Sequence, residues 1–327
     1  MKAFAYVNAG SEKEAIAALG PERGRFLPLA GGMDLLALMK DHIAQPERVI
    51  NVKNLDRTVR RTPDGGLSIG AAVTLTDLVA HADAAKMYPA LVQAAAEVGT
   101  PQIRNAGTVG GNLNQRPRCW YFRNEEFHCL KKGGARCFAV DGENQYHAIL
   151  GGGPCHIVHP SSLAVPAIAL NAKFRVAGPA GEREVAAAEY YQLPDRNLFG
   201  ETVLAPNELL THVLLPPPGG ARSATYEVRF KQSHDWPLAI ASVALSMEGQ
   251  SVRGARIVLG AVAPVPWRSE AAEAALTGKT ISDEAAMAAA DAALAGVKPM
   301  SQNAYKVQIA RTAVKRAILK AAGRETV

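Results

Sequence analysis

Ile103-Arg-Asn-Ala-Gly-Thr-Val-Gly-Gly-Asn-Leu113 sets Gly107, Gly110 and Gly111 into five residues, directly ahead of the segment that holds every cysteine of the chain. Those cysteines, Cys119, Cys129, Cys137 and Cys155, fall within 37 residues. Glycine lets backbone N–H groups approach a phosphate closely, and four thiolates complete the shell of a [4Fe-4S] cluster or a structural zinc. The adjacency points to a metal centre beside a phosphate-binding loop, and so to electron transfer. The glycine run lacks G-x-G-x-x-G spacing, and the chain has no G-x-x-x-x-G-K-[ST] loop, so neither common nucleotide motif explains it.

Cysteine intervals of nine, seven and seventeen residues match neither the short C-x2-C pairs of zinc fingers nor a bacterial ferredoxin run. An iron–sulfur cluster, zinc, disulfides and unrelated thiols all stay open on spacing alone. Between Arg104 and Arg136 lie Arg116, Arg118, Arg123, Lys131 and Lys132 against only Glu125 and Glu126. That charge would offset a thiolate-ligated cluster; the alternative is a solvated basic loop. His128, His147, His156 and His159 crowd the same segment. We take the four cysteines as the ligands and the histidines as loop residues.

Outward from this centre, the chain divides into three expected units. Residues 1–55 hold a strand at Arg25-Phe-Leu-Pro-Leu-Ala30, the pair Gly31-Gly32, a helix from Asp34 to Lys40 and a returning strand within Pro46 to Leu55. A glycine pair between strand and helix start favours an anion there. Residues 56–220 hold short strands near Leu67 to Ala72, an alanine-rich helical stretch ending near Gly99, the glycine run and the cysteine segment, about 114–158. Pro216-Pro-Pro-Gly-Gly220 then reads as a linker. Residues 221–327 begin with a hairpin, Ala239 to Glu248 and Val252 to Val262 around Gly249. Helices follow over 269–277, 282–295 and 304–322. The last helix sets Val307, Ala310, Val314, Ala317 and Ala321 on a core face, with Lys306, Arg311, Lys315, Arg316 and Lys320 largely elsewhere.

Composition narrows the function classes. With 327 residues and 48% apolar content, the chain can bury a large core. Its net charge of +6 is spread along the sequence with no basic block interleaved with aromatics, which gives nucleic-acid binding little support. No stretch reaches the roughly 18 apolar residues of a membrane span, and the N-terminus lacks an apolar signal core. We expect no membrane insertion. The expected location is cytoplasmic, or periplasmic by co-export with a partner that bears a signal.

Four segments resemble the flavin-binding subunits of molybdenum hydroxylases, the group of xanthine and aldehyde dehydrogenases. They are Leu29-Ala-Gly-Gly-Met-Asp-Leu-Leu36, the 103–113 stretch, His159-Pro-Ser-Ser162 with the following Ala169-Leu-Asn-Ala172, and Ala261-Val-Ala-Pro-Val-Pro-Trp-Arg268. The resemblance spans nearly the whole chain. It implies an α+β architecture: a two-part FAD-binding domain of the vanillyl-alcohol-oxidase-like (PCMH) type, then a C-terminal α+β domain like that of CO dehydrogenase flavoproteins. It also implies FAD held by Leu29, Ala30, Gly31, Gly32, Met33, Asp34 and Leu35, by Ile103, Arg104, Asn105, Gly107, Thr108, Gly110, Gly111 and Asn112, and by Ser161 and Ser162.

Asn112-Leu-Asn-Gln-Arg-Pro-Arg-Cys-Trp-Tyr-Phe122 looks most like the branch of periplasmic aldehyde oxidoreductases, whose flavin subunits carry an inserted loop with an extra [4Fe-4S] cluster. In that branch Cys119, Cys129, Cys137 and Cys155 would be its ligands. The partners implied are a molybdenum-cofactor large subunit and a [2Fe-2S] small subunit, with FAD passing electrons to an external acceptor and no substrate-oxidising residue in this chain. The chain departs from the family pattern at Met33, where a hydroxyl residue is common, and at Ser162, where an aspartate is common. Lys231 keeps a basic position that the resemblance puts near the isoalloxazine; a surface lysine is the alternative.

Overall fold

The computed structural model describes residues 1–231 and 234–324; Gln232, Ser233 and the last three residues of the expected C-terminal unit lie outside them. Three sheets carry the chain. The first is parallel, with β1 (Ala5–Asn8) and β2 (Phe26–Leu29) on either side of β3 (Arg48–Asn51). Parallel neighbours need crossover connections, which the helices Glu12–Ala18 and Leu35–Lys40 supply. Central β3 is the buried strand, as a strand covered on both faces must be, and Ile50 packs with Ala15, Val52 and Leu209.

The second sheet is antiparallel, in the order β4 (Val59–Arg61), β5 (Leu67–Gly70), β8 (Leu209–Leu215), β6 (Lys173–Gly178), β7 (Gly181–Ala186). Between β5 and β6 the chain leaves the sheet for about a hundred residues, and that excursion contains the helices from Leu75 to Ala96, the glycine run and the cysteine segment. Leu67, Ile69, Phe174 and Val213 form its core with Tyr88, Leu91 and Val109 from the excursion.

Beyond the proline-rich stretch comes an antiparallel sheet, β9 (Arg222–Val228), β10 (Ala239–Glu248), β11 (Ser251–Gly260) and β12 (Trp267–Arg268), in the order β12-β11-β10-β9. Strand alternation assigns its two faces. Ala239, Ala241, Val243 and Leu245 face the helices Glu270–Leu276, Asp283–Ala293 and Tyr305–Ala321. Ile240 and Val258 face the opposite way, into the core of the middle lobe.

On the helix Tyr305–Ala321, Ala310, Val314, Ala317 and Ala321 are buried, whereas Val307 is only partly so. Lys306 departs from the expected polar face. It is 1% exposed, and its ammonium donates to the carbonyls of Ala261 at 2.6 Å and of Tyr146 and His147 at 3.3 Å. Three carbonyls substitute for water, which is how a lysine tolerates that burial. Asn303 adds a bond to the His147 carbonyl at 3.1 Å, and Asn144 and Gln302 bond each other through backbone and side chain. The cysteine segment is thereby pinned to the C-terminal lobe.

Candidate functional site

A cleft of about 380 Å³ opens between the first lobe and the middle lobe. Leu29, Ala30, Gly31, Gly32, Met33, Asp34 and Leu35 line one side; Ile103, Gly107, Thr108, Gly110, Gly111 and Asn112 line the other. The two loops touch at their glycines. A Cβ on Gly31 would stand 1.9 Å from the Ala106 carbonyl oxygen, and one on Gly110 would stand 2.8 Å from the Ala71 Cβ. Glycine is thus required here for loop-on-loop and loop-on-strand approach.

The expected donors redistribute. Residues Val109–Leu113 form a one-turn helix capped by Thr108, not an open loop. The N–H groups of Val109, Gly110, Gly111 and Asn112 bond to Val73, Ala71, the Thr108 hydroxyl and the Thr108 carbonyl. By contrast, among the described residues the N–H groups of Gly31, Gly32 and Met33 have no partner in the chain, and Gly32 has φ +74°. Unengaged donors in a glycine-rich turn fit an anionic diphosphate, and the long, mostly apolar cleft fits the rest of a dinucleotide. On these observations the residues present fit FAD.

Several expected contact residues sit behind the cleft wall. Arg104 donates to the carbonyls of Val98 and Gly99, and Asn105 accepts from the Thr76 hydroxyl at 2.7 Å. The Ser161 hydroxyl donates at 2.7 Å to the Asn112 side chain, which also accepts from the Leu163 N–H, so this pair fixes the end of the glycine helix. Ser162 faces Glu227 of β9. Burial pushes that carboxyl up to about 7, against the opposing pull of the Ser162 hydroxyl, and among the described residues neither carboxylate oxygen finds a partner of good hydrogen-bond geometry. Lys231 is exposed and does not line the cleft; Trp236, five residues on, does.

Asp34 is the junction between this cleft and the cysteine segment. Its carboxylate accepts from the Arg116 N–H at 2.7 Å and from the guanidinium groups of Arg118 and Arg123, both at 2.5 Å. A second carboxylate, Glu201, pairs with Lys131 at 2.8 Å and Arg116 at 2.7 Å. Two acids remote in sequence therefore compensate part of the charge of the basic segment, which a count of its own charges misses.

Within the segment, Cys129 and Cys155 are buried, Cys119 and Cys137 half-buried, and all four thiols are free. The Cys155 thiol donates to Cys137, holding Cys137 well below the usual thiol range and pushing Cys155 up. Burial raises Cys119 to about 11, and its sulfur feels both Cys137 and Cys129. His147 sets Nε2 3.2 Å from Cys119 Sγ. His159 lies apart, stacked edge-on against Tyr191 with Nδ1 near the Ser161 N–H. Among the described residues, no three His, Cys, Asp or Glu side chains are grouped to hold a single metal ion. Cys119 is neighboured by Cys129 and Cys137, and Cys137 by Cys155, so the thiols form a linked set whose soft sulfur donors are of the kind that suits iron bridged by sulfide.

Residues 2–218 match the family described as the FAD binding domain in molybdopterin dehydrogenase, and residues 224–321 the CO dehydrogenase flavoprotein C-terminal domain. The chain belongs to the FAD-binding medium subunits of the molybdenum hydroxylases. It is 36% identical over 318 residues to the aldehyde oxidoreductase FAD-binding subunit PaoB of Escherichia coli K12, covering 95% of this chain and 96% of that one. It is 30% identical to the carbon monoxide dehydrogenase medium chain of Hydrogenophaga pseudoflava, covering 96% of each. Among solved structures, carbon monoxide dehydrogenase from that organism, lacking the Mo-pyranopterin moiety, superposes with a TM-score of 0.76 at 31% identity, covering 99% of this chain and 98% of that one. Quinoline 2-oxidoreductase from Pseudomonas putida 86 gives 0.76 at 27% identity, covering 99% of each. The family's α+β architecture and its oxidoreductase character extend to this chain. No described helix is long and apolar enough to cross a membrane.

Proposed function

We propose that this chain holds FAD and a [4Fe-4S] cluster and serves as the electron-transfer subunit of a molybdenum-containing aldehyde oxidoreductase. One observation carries the two-centre reading. Leu38, on the helix Leu35–Lys40, lines the cleft and also packs on Phe122, Cys119 and Cys129, so a single helix is the shared wall of both sites. The likeness to PaoB supports the aldehyde branch.

On this reading residues 1–55 and 56–220 are the two lobes that clasp the flavin nucleotide, 114–158 is the cluster loop, and 221–327 is the C-terminal lobe. Gly31, Gly32 and Met33 donate to the pyrophosphate, the Asn112–Ser161 pair holds the glycine helix, and Cys119, Cys129, Cys137 and Cys155 ligate the cluster. When bound, the two groups supply the electron-carrying chemistry. The chain itself fixes their positions and keeps water from them. The partners are a molybdenum-cofactor large subunit, which oxidises the aldehyde, and a [2Fe-2S] small subunit. The complex works in the cytoplasm, or in the periplasm after co-export with a signal-bearing partner.

The test is purification of the native complex with flavin, iron, acid-labile sulfide and molybdenum analysis. The expected outcome is FAD and a full cluster complement in this subunit. Alone it should reduce an artificial acceptor from a small reductant but leave aldehydes untouched, and the two partners should restore aldehyde oxidation. Aldehyde turnover by the isolated chain would instead make it a stand-alone flavoenzyme.

A further inference from the structure

We infer that His147 is a positioning residue for the cluster site: its Nε2–H donates a hydrogen bond to the sulfur of Cys119 and sets how much negative charge that sulfur can hold. This rests on the cluster reading proposed above and goes beyond it, because it assigns a role to a side chain that is not among the ligands.

The geometry begins with the 3.2 Å separation of Nε2 and Sγ, within the range of a nitrogen-to-sulfur bond. A neutral imidazole has one N–H, and its placement follows from which nitrogen finds an acceptor. Nδ1 of His147 is buried near the Asn144 carbonyl, and among the described residues no partner meets it in good hydrogen-bond geometry; a metal-bound thiolate has no proton to give, so the contact with Cys119 is bonding only with the proton on Nε2. The ring is also immobilised. It lies 5.9 Å from the Trp120 ring and 6.2 Å from that of Tyr121, and the residue is 3% exposed.

The backbone of His147 is held independently of the ring. Its carbonyl accepts from Lys306 at 3.3 Å and from Asn303 at 3.1 Å. Lys306 lies in the first turn of the helix Tyr305–Ala321 and Asn303 just before it, so that lobe aims the imidazole at the sulfur. A preset donor facing a ligand sulfur stabilises the more negative, reduced state of an iron–sulfur centre, and hydrogen bonds to sulfur are among the protein's means of setting its potential.

The experiment compares wild type, His147→Leu and His147→Gln in the purified complex by redox titration followed by EPR, with iron, sulfide and flavin content measured on each. Leucine keeps bulk and removes the donor; glutamine can return an N–H at similar reach. The expected result is full iron and flavin in all three. The cluster midpoint moves to more negative potential in the leucine variant and back toward wild type in the glutamine variant, with the flavin couple unmoved as internal reference. Equal cluster potentials in the three fully loaded proteins overturn the inference.

If the leucine variant loses iron, the decision passes to wild type labelled with nitrogen-15 histidine. A weakly coupled nitrogen together with an exchangeable proton in the ENDOR spectrum of the reduced cluster supports the bond. No such pair overturns it, and strong direct nitrogen coupling, which would make His147 a ligand, overturns it equally. A wild-type subunit without iron overturns the cluster reading itself, an outcome distinct from all of these.

Discussion

Nζ of Lys131 lies 2.8 Å from Oε1 of Glu201, with the lysine side chain 1% and the glutamate 6% exposed. The lysine also donates to the carbonyls of Leu198 at 2.9 Å and Gly200 at 3.2 Å, while its contact with Glu201 is an ion pair outside hydrogen-bond geometry. This contact fastens the middle of the cysteine segment to the loop that follows β7. Breaking one side of such a pair leaves the other charge buried, which costs more than the intact pair contributes.

Lys131→Met should therefore destabilise the chain by about 3 kcal/mol, the lower end for an orphaned buried charge because Arg116 still faces Glu201. Urea unfolding reads this directly. Adding Glu201→Gln to the methionine variant should recover part of the loss, since the buried charge is then gone; no recovery would mean that packing, not charge, held the contact.

Gly31→Ala should cost the chain most of its flavin. The new methyl group would meet the Ala106 carbonyl at 1.9 Å, and that atom belongs to backbone, so the two loops of the cleft must part. Gly254→Ala is the matched control, because a Cβ there meets nothing within 4 Å. Flavin absorbance per protein after gel filtration separates the two: low for Gly31→Ala, unchanged for Gly254→Ala.

What could be read from the chain was what is local in it. The hairpin β10–β11 shows its strand runs around Gly249, the three C-terminal helices show apolar spacing, the first two behind serine caps, and the glycine and cysteine segments stand out by composition. Four-residue β1 carries little pattern, and β6 and β8 acquire their meaning only by pairing with each other across thirty residues. Lys306 looked like a surface cation because nothing in the sequence shows that Tyr146, His147 and Ala261 will bring carbonyls to it. Asp34 and Glu201, the acids that pair with bases of the cysteine segment, lie more than sixty residues from those bases. The cleft itself was legible only on its glycine sides; Leu38 and Trp236 join it through tertiary packing.

The contribution of Glu227 to stability should fall as pH rises through the window from about 4.5 to 7, opposite in sign to that of His147 and His159, which burial lowers to about 4. Glu227 is held neutral by burial, with its folded-state value near 7 against 4.5 for the free side chain. In that window the unfolded chain has already lost the proton that the folded chain keeps, so the native state binds more protons and loses its advantage on going up in pH, on the order of 3 kcal/mol in full. Glu227→Gln should remove this contribution, so the variant gains on the wild type as pH rises and is the more stable protein above pH 7. Unfolding midpoints in urea at pH 5, 6, 7 and 8 for both proteins give the comparison, and parallel slopes would assign the pH dependence to other groups.

Cys129→Ser should separate the two centres. Serine oxygen is a poor substitute for thiolate on iron, so iron and acid-labile sulfide should fall sharply. Gly31, Gly32 and Met33 line the cleft, which Cys129 does not, so their N–H donors should be unaffected and FAD should remain. Cys129 is buried against Leu38 and Phe122, and a serine there adds a hydroxyl to an apolar cluster, which should lower stability by about 1 to 2 kcal/mol without unfolding the lobe. Iron and sulfide assays beside the flavin spectrum check all three statements on one sample. Loss of iron with retained flavin fits cysteine ligation beside an independent nucleotide cleft; full retention of iron would remove Cys129 from the ligand set and reopen the question of which side chains in this segment hold a metal.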